Sequence, residues 1–231
     1  MKDRSKLGVV AAAAGVAAVS AAILYAAVGR RWTNKWGATR RDLLRTLPGD
    51  DIVAFANMNS TRAITIDAEP EDIWPWLVQI GQGRGGLYSY DWLDIAFRML
   101  DRSSVEEILP EYQEIHAGDV IPIGVNDDAM DDFYVHFVDP ERALVIGAND
   151  PAFRNRVSWS MVLIHEGRNR TRLLVRVRGD VPKSVKGVAM FALLEPASFV
   201  MIRKQMLNFK RLAEKTREKR EASRLPCILE S

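Results

Sequence analysis

The second half of the chain alternates between apolar and polar residues, which is the period of a half-buried β-strand. Its six alternating segments fall into three pairs, and a short turn-forming stretch separates the members of each pair. The pairs are EYQEI with DVIPI, DFYVHFV with ALVIG, and RVSWSMVLIH with TRLLVRVR. Together with the earlier segment TRAITID, at 61–67, they predict seven antiparallel strands joined mainly as hairpins.

Helical patterns interrupt and follow these strands. The stretch 68–72 carries a proline and acidic residues, which favour the first turn of a helix, and a second helix with one apolar stripe is predicted at 90–100. After Pro182 the pattern is helical to about Ala222, with an interruption expected at Pro196. The first part of this long helix is apolar around most of its circumference, so it must be buried, here against the sheet. The predicted fold class is therefore α+β.

Alternation in the last two predicted strands also assigns their faces. The side chains expected to line the concave interior are those of Val157, Trp159, Met161, Leu163, Leu173, Val175 and Val177. The opposite side of the last strand carries a row of arginines, namely Arg170, Arg172, Arg176 and Arg178, with Arg154 and Arg156 nearby in sequence. These arginines form either a basic patch or a solvated outer face. The solvated face is favoured, because acidic residues elsewhere neutralise the charge.

A run of 22 residues without charge, at 7–28, precedes the domain. As a helix it would be roughly 33 Å long, which matches a bilayer core of about 30 Å. A cleaved secretory signal is the alternative, because Lys2, Arg4 and Lys6 precede the run, but the run exceeds the roughly 7 to 15 apolar residues of a signal peptide. The flank at 30–45 is the more basic one, so the positive-inside rule predicts a single-pass anchor with a cytoplasmic domain.

The chain then divides into four predicted segments: an anchor at 1–29, a basic linker at 30–59, a globular domain at 60–222 and a tail at 223–231. The basic residues of the linker either lie against anionic lipid headgroups or are simply solvated.

Composition narrows the function classes. Thirty-two basic against 30 acidic residues leave a formal charge of +2, which gives no argument for nucleic-acid binding. The single Cys227 excludes an internal disulfide and a cysteine-based metal site. His116, His136 and His165 lack ligand-type spacing, and the acidic cluster at 127–132 lacks the twelve-residue calcium-loop pattern. Neither a metal nor another cofactor is expected.

The most unusual stretch is WPWLVQIGQGRGGLYSYDWLD, at 74–94, which combines three tryptophans and two tyrosines with a glycine-rich loop around Arg84. Such rings beside glycines are typical of a pocket mouth, but the same rings also fill ordinary cores. The glycines match G-x-G-x-x-G. That fingerprint requires a preceding strand within a βαβ unit, whereas residues 70–80 predict a helix, so nucleotide binding is disfavoured.

This string resembles the WPWLxQxGxxRGGxYSYDWL signature of a bacterial, largely actinobacterial group in the SRPBCC superfamily, the START-like and polyketide-cyclase-like proteins. The resemblance covers about 61–178 and, more loosely, the C-terminal helix. It implies a helix-grip fold, in which a curved antiparallel sheet surrounds a long C-terminal helix and leaves an apolar cavity between them. It does not imply a reaction, because the superfamily includes cyclases, hydrolases, lipid carriers and ligand sensors.

Two function classes follow. The first is a membrane-anchored domain that binds an apolar small molecule or lipid-like ligand in the cavity, for carriage or sensing. The alternative is a cyclase-type or hydrolase-type enzyme that uses Arg84, Tyr88, Tyr90 or His136 in the same cavity. No catalytic residue is assigned, because no known catalytic motif is present. The expected ligand-binding residues are Trp76, Arg84, Tyr88, Tyr90, Trp92, His136, Trp159, Val175, Phe199 and Met206.

Overall fold

The computed structural model describes residues 29–125, 132–149, 156–180 and 184–224. The predicted anchor at 7–28, most of the acidic cluster and Cys227 lie outside these ranges. Within them, no helix has both the length and the apolar character needed to cross a bilayer.

The described strands form one antiparallel sheet of six strands in the order β1-β6-β5-β4-β3-β2. They are β1 (Met58–Ile66), β2 (Val120–Pro122), β3 (Asp132–Asp139), β4 (Ala143–Asn149), β5 (Arg156–His165) and β6 (Thr171–Gly179). The register brings residues predicted to share the concave face opposite one another, with Trp159 facing Val177 and Met161 facing Val175 across β5 and β6. A bulge interrupts β3 between Val135 and Phe137.

The prediction of seven strands is wrong, because the segment EYQEI is not a strand. It begins within a short 3₁₀ helix, Pro110–Tyr112. The side-chain amide of Gln113 donates to Oε1 of Gln79 at 3.2 Å, and the hydroxyl of Tyr112 donates to the carbonyl of Gly83 at 2.9 Å. These polar groups are bound to the glycine-rich region instead of pairing with β2, so β2 forms the edge of the described sheet.

Five α-helices accompany the sheet in the described residues. They are α1 (Arg30–Thr33), α2 (Arg40–Leu44), α3 (Pro70–Val78), α4 (Asp91–Ala96) and α5 (Val185–Arg224). A capping box between Glu69 and Asp72 starts α3. The long helix α5 continues through Pro196, where an interruption was expected. A proline removes one backbone hydrogen bond. Here the helix is supported by burial on both sides of it, at Glu195 and Phe199.

The core lies between the concave face of the sheet and the two helices α3 and α5. Met161 and Val175 of the sheet are fully buried, as are Leu77 of α3 and Met206 and Phe209 of α5. Each such side chain contributes about 1.5 to 3 kcal/mol by leaving water. The long C-terminal helix therefore packs on the concave side of an antiparallel sheet, which agrees with the expected helix-grip arrangement.

The segment 39–54, here called the arm, falls within the predicted linker and lies on the opposite face of the sheet over β1, β4, β5 and β6. Leu47 packs against Ala63 and Leu174. Gly49 has φ +87° and lies so close to the sheet that a Cβ there would be 2.5 Å from Val145. The arm thus has its own apolar contact with the sheet, and Gly49 permits both its turn and its close approach.

The arginines of β6 were predicted to be solvated, and this is wrong, because the arm carries their partners. Arg172 forms an ion pair with Asp42 at 2.7 Å, and Arg176 forms one with Asp50 at 2.6 Å. Nη2 of Arg178 donates to the carbonyl of Val53 at 3.0 Å. Burial acts to raise the pKa of Asp42, but hydrogen bonds from Arg172 and from the arm itself outweigh burial and hold that pKa below its ordinary value.

We expect Arg176→Lys to lower the free energy of unfolding by about 1 to 3 kcal/mol, because an ammonium cannot replace all the bonds of the buried guanidinium. Those bonds go to Thr61 Oγ1, to the carbonyls of Asp42 and Arg45, and to Asp50. The matched control is Arg170→Lys, at a side chain that is 60% exposed, and should change the free energy by less than about 0.5 kcal/mol. Urea titration followed by tryptophan fluorescence measures both. Equal losses would contradict a fixed arm.

Candidate functional site

A cavity of about 300 Å³ lies between the concave face of the sheet and α5. This volume is at the lower end of the range of about 300 to 1,000 Å³ found for small-molecule sites. Ten apolar residues line it, namely Met58, Leu87, Met99, Ile123, Phe133, Val157, Trp159, Val177, Met201 and Ile202. Ser89, Ser198 and Gln205 are its polar lining residues, and no lining residue carries a charge.

The cavity follows from the alternation of the strands. Phe133, Trp159 and Val177 all project from the concave face. The rings of Phe133 and Trp159 meet edge to face, with centroids 6.3 Å apart, and form an aromatic wall. Farther along the same face, Met161 and Val175 are fully buried in the core. One end of the concave face is therefore filled by helix side chains, and the other end keeps space.

Two of the lining residues each have one polar atom that is closed to solvent and has no hydrogen-bond partner among the described residues: Nε1 of Trp159 and Oε1 of Gln205. Gln205 lies on α5 and is only 2% exposed. Its amide nitrogen donates to the carbonyl of Leu87 at 2.7 Å. With Ser89, Ser198 and Gln205, the wall has a small number of polar side chains on an otherwise apolar surface, which is typical of sites for small molecules.

Behind the wall lies a buried carboxyl group. The hydroxyl of Ser89 donates to Oδ2 of Asp94 at 2.6 Å, while Oδ1 is buried without a partner among the described residues. Burial raises the pKa of Asp94 to about 6, against the hydrogen bond from Ser89, which lowers it. This serine–aspartate pair was not predicted. The stretch SYDWLD gives no signal that one of its two aspartates is buried.

The glycine-rich loop is held by Arg84, whose Nη2 donates to the carbonyl of Val78 at 2.9 Å. The guanidinium also lies over the ring of Tyr112, 4.4 Å from its centroid. Neither Arg84 nor the loop glycines are among the residues that line the cavity. The guanidinium of Arg84 therefore orders the glycine-rich loop and is not part of the cavity wall.

Tyr88 follows this loop and is fully buried, with a left-handed φ of +57°. Its hydroxyl oxygen accepts a hydrogen bond from the side-chain amide of Gln79. Burial raises the pKa of Tyr88 to about 12, so its phenol stays protonated at neutral pH. The ring packs between Trp76 and Phe209 in the core.

Of the predicted ligand-binding residues, Trp159 lines the cavity. The others lie elsewhere in the described part of the chain. Val175 and Met206 are buried in the core, and Phe199 contacts the rings of Trp32 and Trp36.

The remaining predicted residues lie away from the cavity wall. Trp76 donates its indole N–H to Thr216, while Tyr90 lies under the ammonium of Lys204. Trp92 is 70% exposed. His136 lies at the bulge of β3, and its Nε2 is buried without a partner in the described residues.

Most residues of the cavity wall were not predicted from the sequence. Met99 and Ile123 carried no signal beyond being apolar, and Leu87 and Ser89 stood beside more conspicuous rings. Within the aromatic stretch at 74–94, the residues that line the cavity are Leu87 and Ser89.

No protein-family model matches the chain, and no curated protein matches it. Similar solved structures include norcoclaurine synthase from Thalictrum flavum, in complex with dopamine and hydroxybenzaldehyde, with 11% identity and a TM-score of 0.42 over 74% of this chain and 95% of that one. A conserved protein from Geobacillus kaustophilus has 14% identity and a TM-score of 0.39 over 69% of this chain and 97% of that one.

An HSP90 activator from Plasmodium falciparum has 10% identity and a TM-score of 0.34 over 56% of this chain and 78% of that one. Likeness at this level carries no reaction and no ligand over to this chain.

Because of Asp94, the free energy of unfolding should fall as the pH rises. A salt-bridged carboxylate has the opposite effect. The folded pKa of Asp94, about 6, exceeds the ordinary value of 3.8, so the folded state binds the proton more tightly than the unfolded state. The stabilisation is complete below about pH 4 and is lost as the pH rises through about 6. We expect the unfolding free energy of the protein, relative to Asp94→Asn, to fall by roughly 3 kcal/mol between about pH 4 and pH 7.

Urea titrations of both proteins across this range measure the difference, in which the titrations of all other groups cancel. A difference that stays constant with pH would contradict a buried, titrating Asp94.

Proposed function

We propose that this domain binds an apolar small molecule or lipid-like ligand in the cavity, for carriage or sensing. The observation that supports this most directly is the wall itself, in which ten of the 13 lining residues are apolar and none is charged. Filling such a space with an apolar body restores dispersion contacts to the lining side chains and removes apolar surface from water, at about 25 cal/mol per Å².

The positions of the candidate catalytic groups favour binding over catalysis. Catalysis needs polar groups that converge on one reacting atom. Arg84 is bound to a backbone carbonyl, Tyr88 has its pKa raised to about 12, and Tyr90 lies beneath Lys204. These groups do not converge at the cavity wall.

One observation favours the enzyme alternative of a cyclase-type or hydrolase-type reaction. Ser89 lines the cavity and donates to Asp94, whose pKa of about 6 suits proton transfer near neutral pH. In that case Asp94 would exchange a proton with the substrate through the hydroxyl of Ser89. Mass spectrometry of a bound ligand before and after long incubation separates the two functions, because a carrier returns its ligand unchanged.

A substitution that fills the cavity tests the binding proposal. We expect Val177→Phe to weaken binding of the neutral fluorescent probe N-phenyl-1-naphthylamine by about tenfold or more, because Val177 lines the cavity opposite Trp159 and a phenyl ring there takes up cavity volume. Val200→Phe makes the same change at a half-exposed position of α5 that does not line the cavity. This control should keep the affinity of the unaltered protein.

Thermal melting of both variants shows that they remain folded. Equal probe affinity in a folded Val177→Phe protein would exclude this cavity as the binding site.

We also propose that residues 7–28 anchor the domain in the membrane, with the domain on the cytoplasmic side. The length of the apolar run and the more basic downstream flank support this. We expect the full chain to fractionate with membranes. A reporter that is active only in the cytoplasm should be active when it is fused after Ser231. Activity of an alkaline phosphatase fusion would overturn the orientation, and release of an intact domain into the medium would overturn the anchor.

A further inference from the structure

Two large apolar side chains are exposed where the start of the described chain meets α5. Trp32 of α1 is 60% exposed, and Val200 of α5 is 46% exposed. The ring of Trp32 meets that of Phe199, the neighbour of Val200, edge to face, with centroids 5.4 Å apart. The two exposed side chains therefore belong to one surface, which α1 and the first described turns of α5 form together.

The exposed charges on this surface are basic. The sequence has no acidic residue at 29–41 or at 196–213. The carboxylate between these ranges, Glu195, is buried and forms an ion pair with Arg30 at 2.9 Å. Together with the two apolar residues, the exposed basic residues form what is here called the α1–α5 face: Arg31, Trp32, Lys35, Val200 and Arg203.

The α1–α5 face has a fixed position on the domain. The backbone N–H of Thr61 in β1 donates to the carbonyl of Asn34 at 2.8 Å, and the N–H of Ala63 donates to the carbonyl of Trp36 at 3.0 Å. On the other side, the guanidinium of Arg203 lies over the ring of Trp36, 5.1 Å from its centroid. The residues after α1 are thus bound both to the sheet and to α5.

An anionic membrane surface has the chemistry that fits this face. Tryptophan is enriched where a bilayer meets water, and each basic side chain near anionic lipid strengthens binding by about fivefold. A second copy of the chain docked through the same face would bring like charges together. The uncharged run at 7–28 ends directly before the first described residue, so the face is also close in sequence to the proposed anchor.

We propose that the α1–α5 face lies on anionic lipid headgroups, so that the domain stands on the membrane through the start of α5. This inference rests on the proposed anchor and specifies how the domain is oriented. The same turns of α5 carry Ser198, Met201 and Ile202, which line the cavity. The cavity is then separated from the headgroups by about the width of one helix, roughly 10 Å. The bilayer is accordingly the nearest apolar source of its ligand.

A fluorescent label at either end of α5 tests this orientation. Val200→Cys and Ala222→Cys are each made in the full chain with Cys227→Ser and are labelled with nitrobenzoxadiazole. Both positions are exposed, and they lie on nearly the same side of the helix, about six turns or roughly 33 Å apart. The vesicles contain equal parts of phosphatidylcholine and phosphatidylglycerol, with spin-labelled phosphatidylcholine as the quencher. We expect the lipid to quench the label at 200 about twofold or more strongly than the label at 222.

Charge reversal tests the role of the basic residues. Lys35→Glu combined with Arg203→Glu should lower the quenching at position 200 to nearly that at position 222. Lys215→Glu combined with Lys219→Glu makes the same change of charge near the other end of α5 and should leave the quenching at 200 unaltered. Thermal melting shows whether both variants are folded. Vesicles of phosphatidylcholine alone make the matching test on the unreversed chain, where the quenching at 200 should also fall.

Extraction of the same vesicles with alkaline carbonate tests the anchor separately. An unquenched label at 200 in a chain that carbonate does not remove would overturn the inference while the anchor stands. Equal quenching at 200 and 222 would also overturn it, because α5 would then lie flat on the membrane. Equal quenching at 200 in anionic and neutral vesicles would overturn the role of the basic residues. Strong quenching at 200 in a chain that carbonate removes would support the face and overturn the anchor.

Discussion

The shape of the molecule depends on how one long helix covers the concave face of an antiparallel sheet. The C-terminal half of α5 covers the concave face completely, because Met206, Phe209 and Leu212 fill the space above the strands. Toward Ser198 the helix and the sheet no longer interdigitate, and the aromatic wall of Phe133 and Trp159 borders open volume instead. Core and cavity are therefore two ends of a single packing arrangement. The close packing at one end gives the free space at the other a fixed form.

The outer face of the same sheet is covered by different chemistry. Arginines of β6 take the place of apolar residues there, and the arm provides carboxylates and carbonyls at hydrogen-bond distance, as with Arg176 and Asp50. A buried guanidinium is tolerated only when its donors are satisfied, and removing one partner leaves an unpaired buried charge. Leu47 and Ala63 add a small apolar contact beside these pairs. The concave face is thus covered mainly by apolar packing, and the part of the outer face under the arm mainly by directional polar bonds.

The sequence predicted those parts of the fold that depend on local periodicity. Alternation located β3 to β6 and the concave face on which Trp159 lies, and the apolar circumference of the C-terminal segment predicted that α5 would be buried. The arm could not be predicted in this way, because Arg172 and Asp42 are 130 positions apart and have no shared pattern. Aromatic density was an ambiguous signal, since rings such as Trp76 and Tyr88 pack the core as readily as they line a site. A residue such as Met99 lines the cavity because no other side chain fills the space beside it, and no local sequence pattern indicates such a gap.

The first described residues attach the chain to α5 almost at once. Nε of Arg30 lies 3.0 Å from Oε1 of the buried Glu195, and the side chain of Asn34 donates to the same oxygen at 2.7 Å. A flexible linker of thirty residues would let a domain wander over about 30 Å. The start of the predicted linker is therefore no free spacer, because its first described residues are already bound to the helix that covers the cavity.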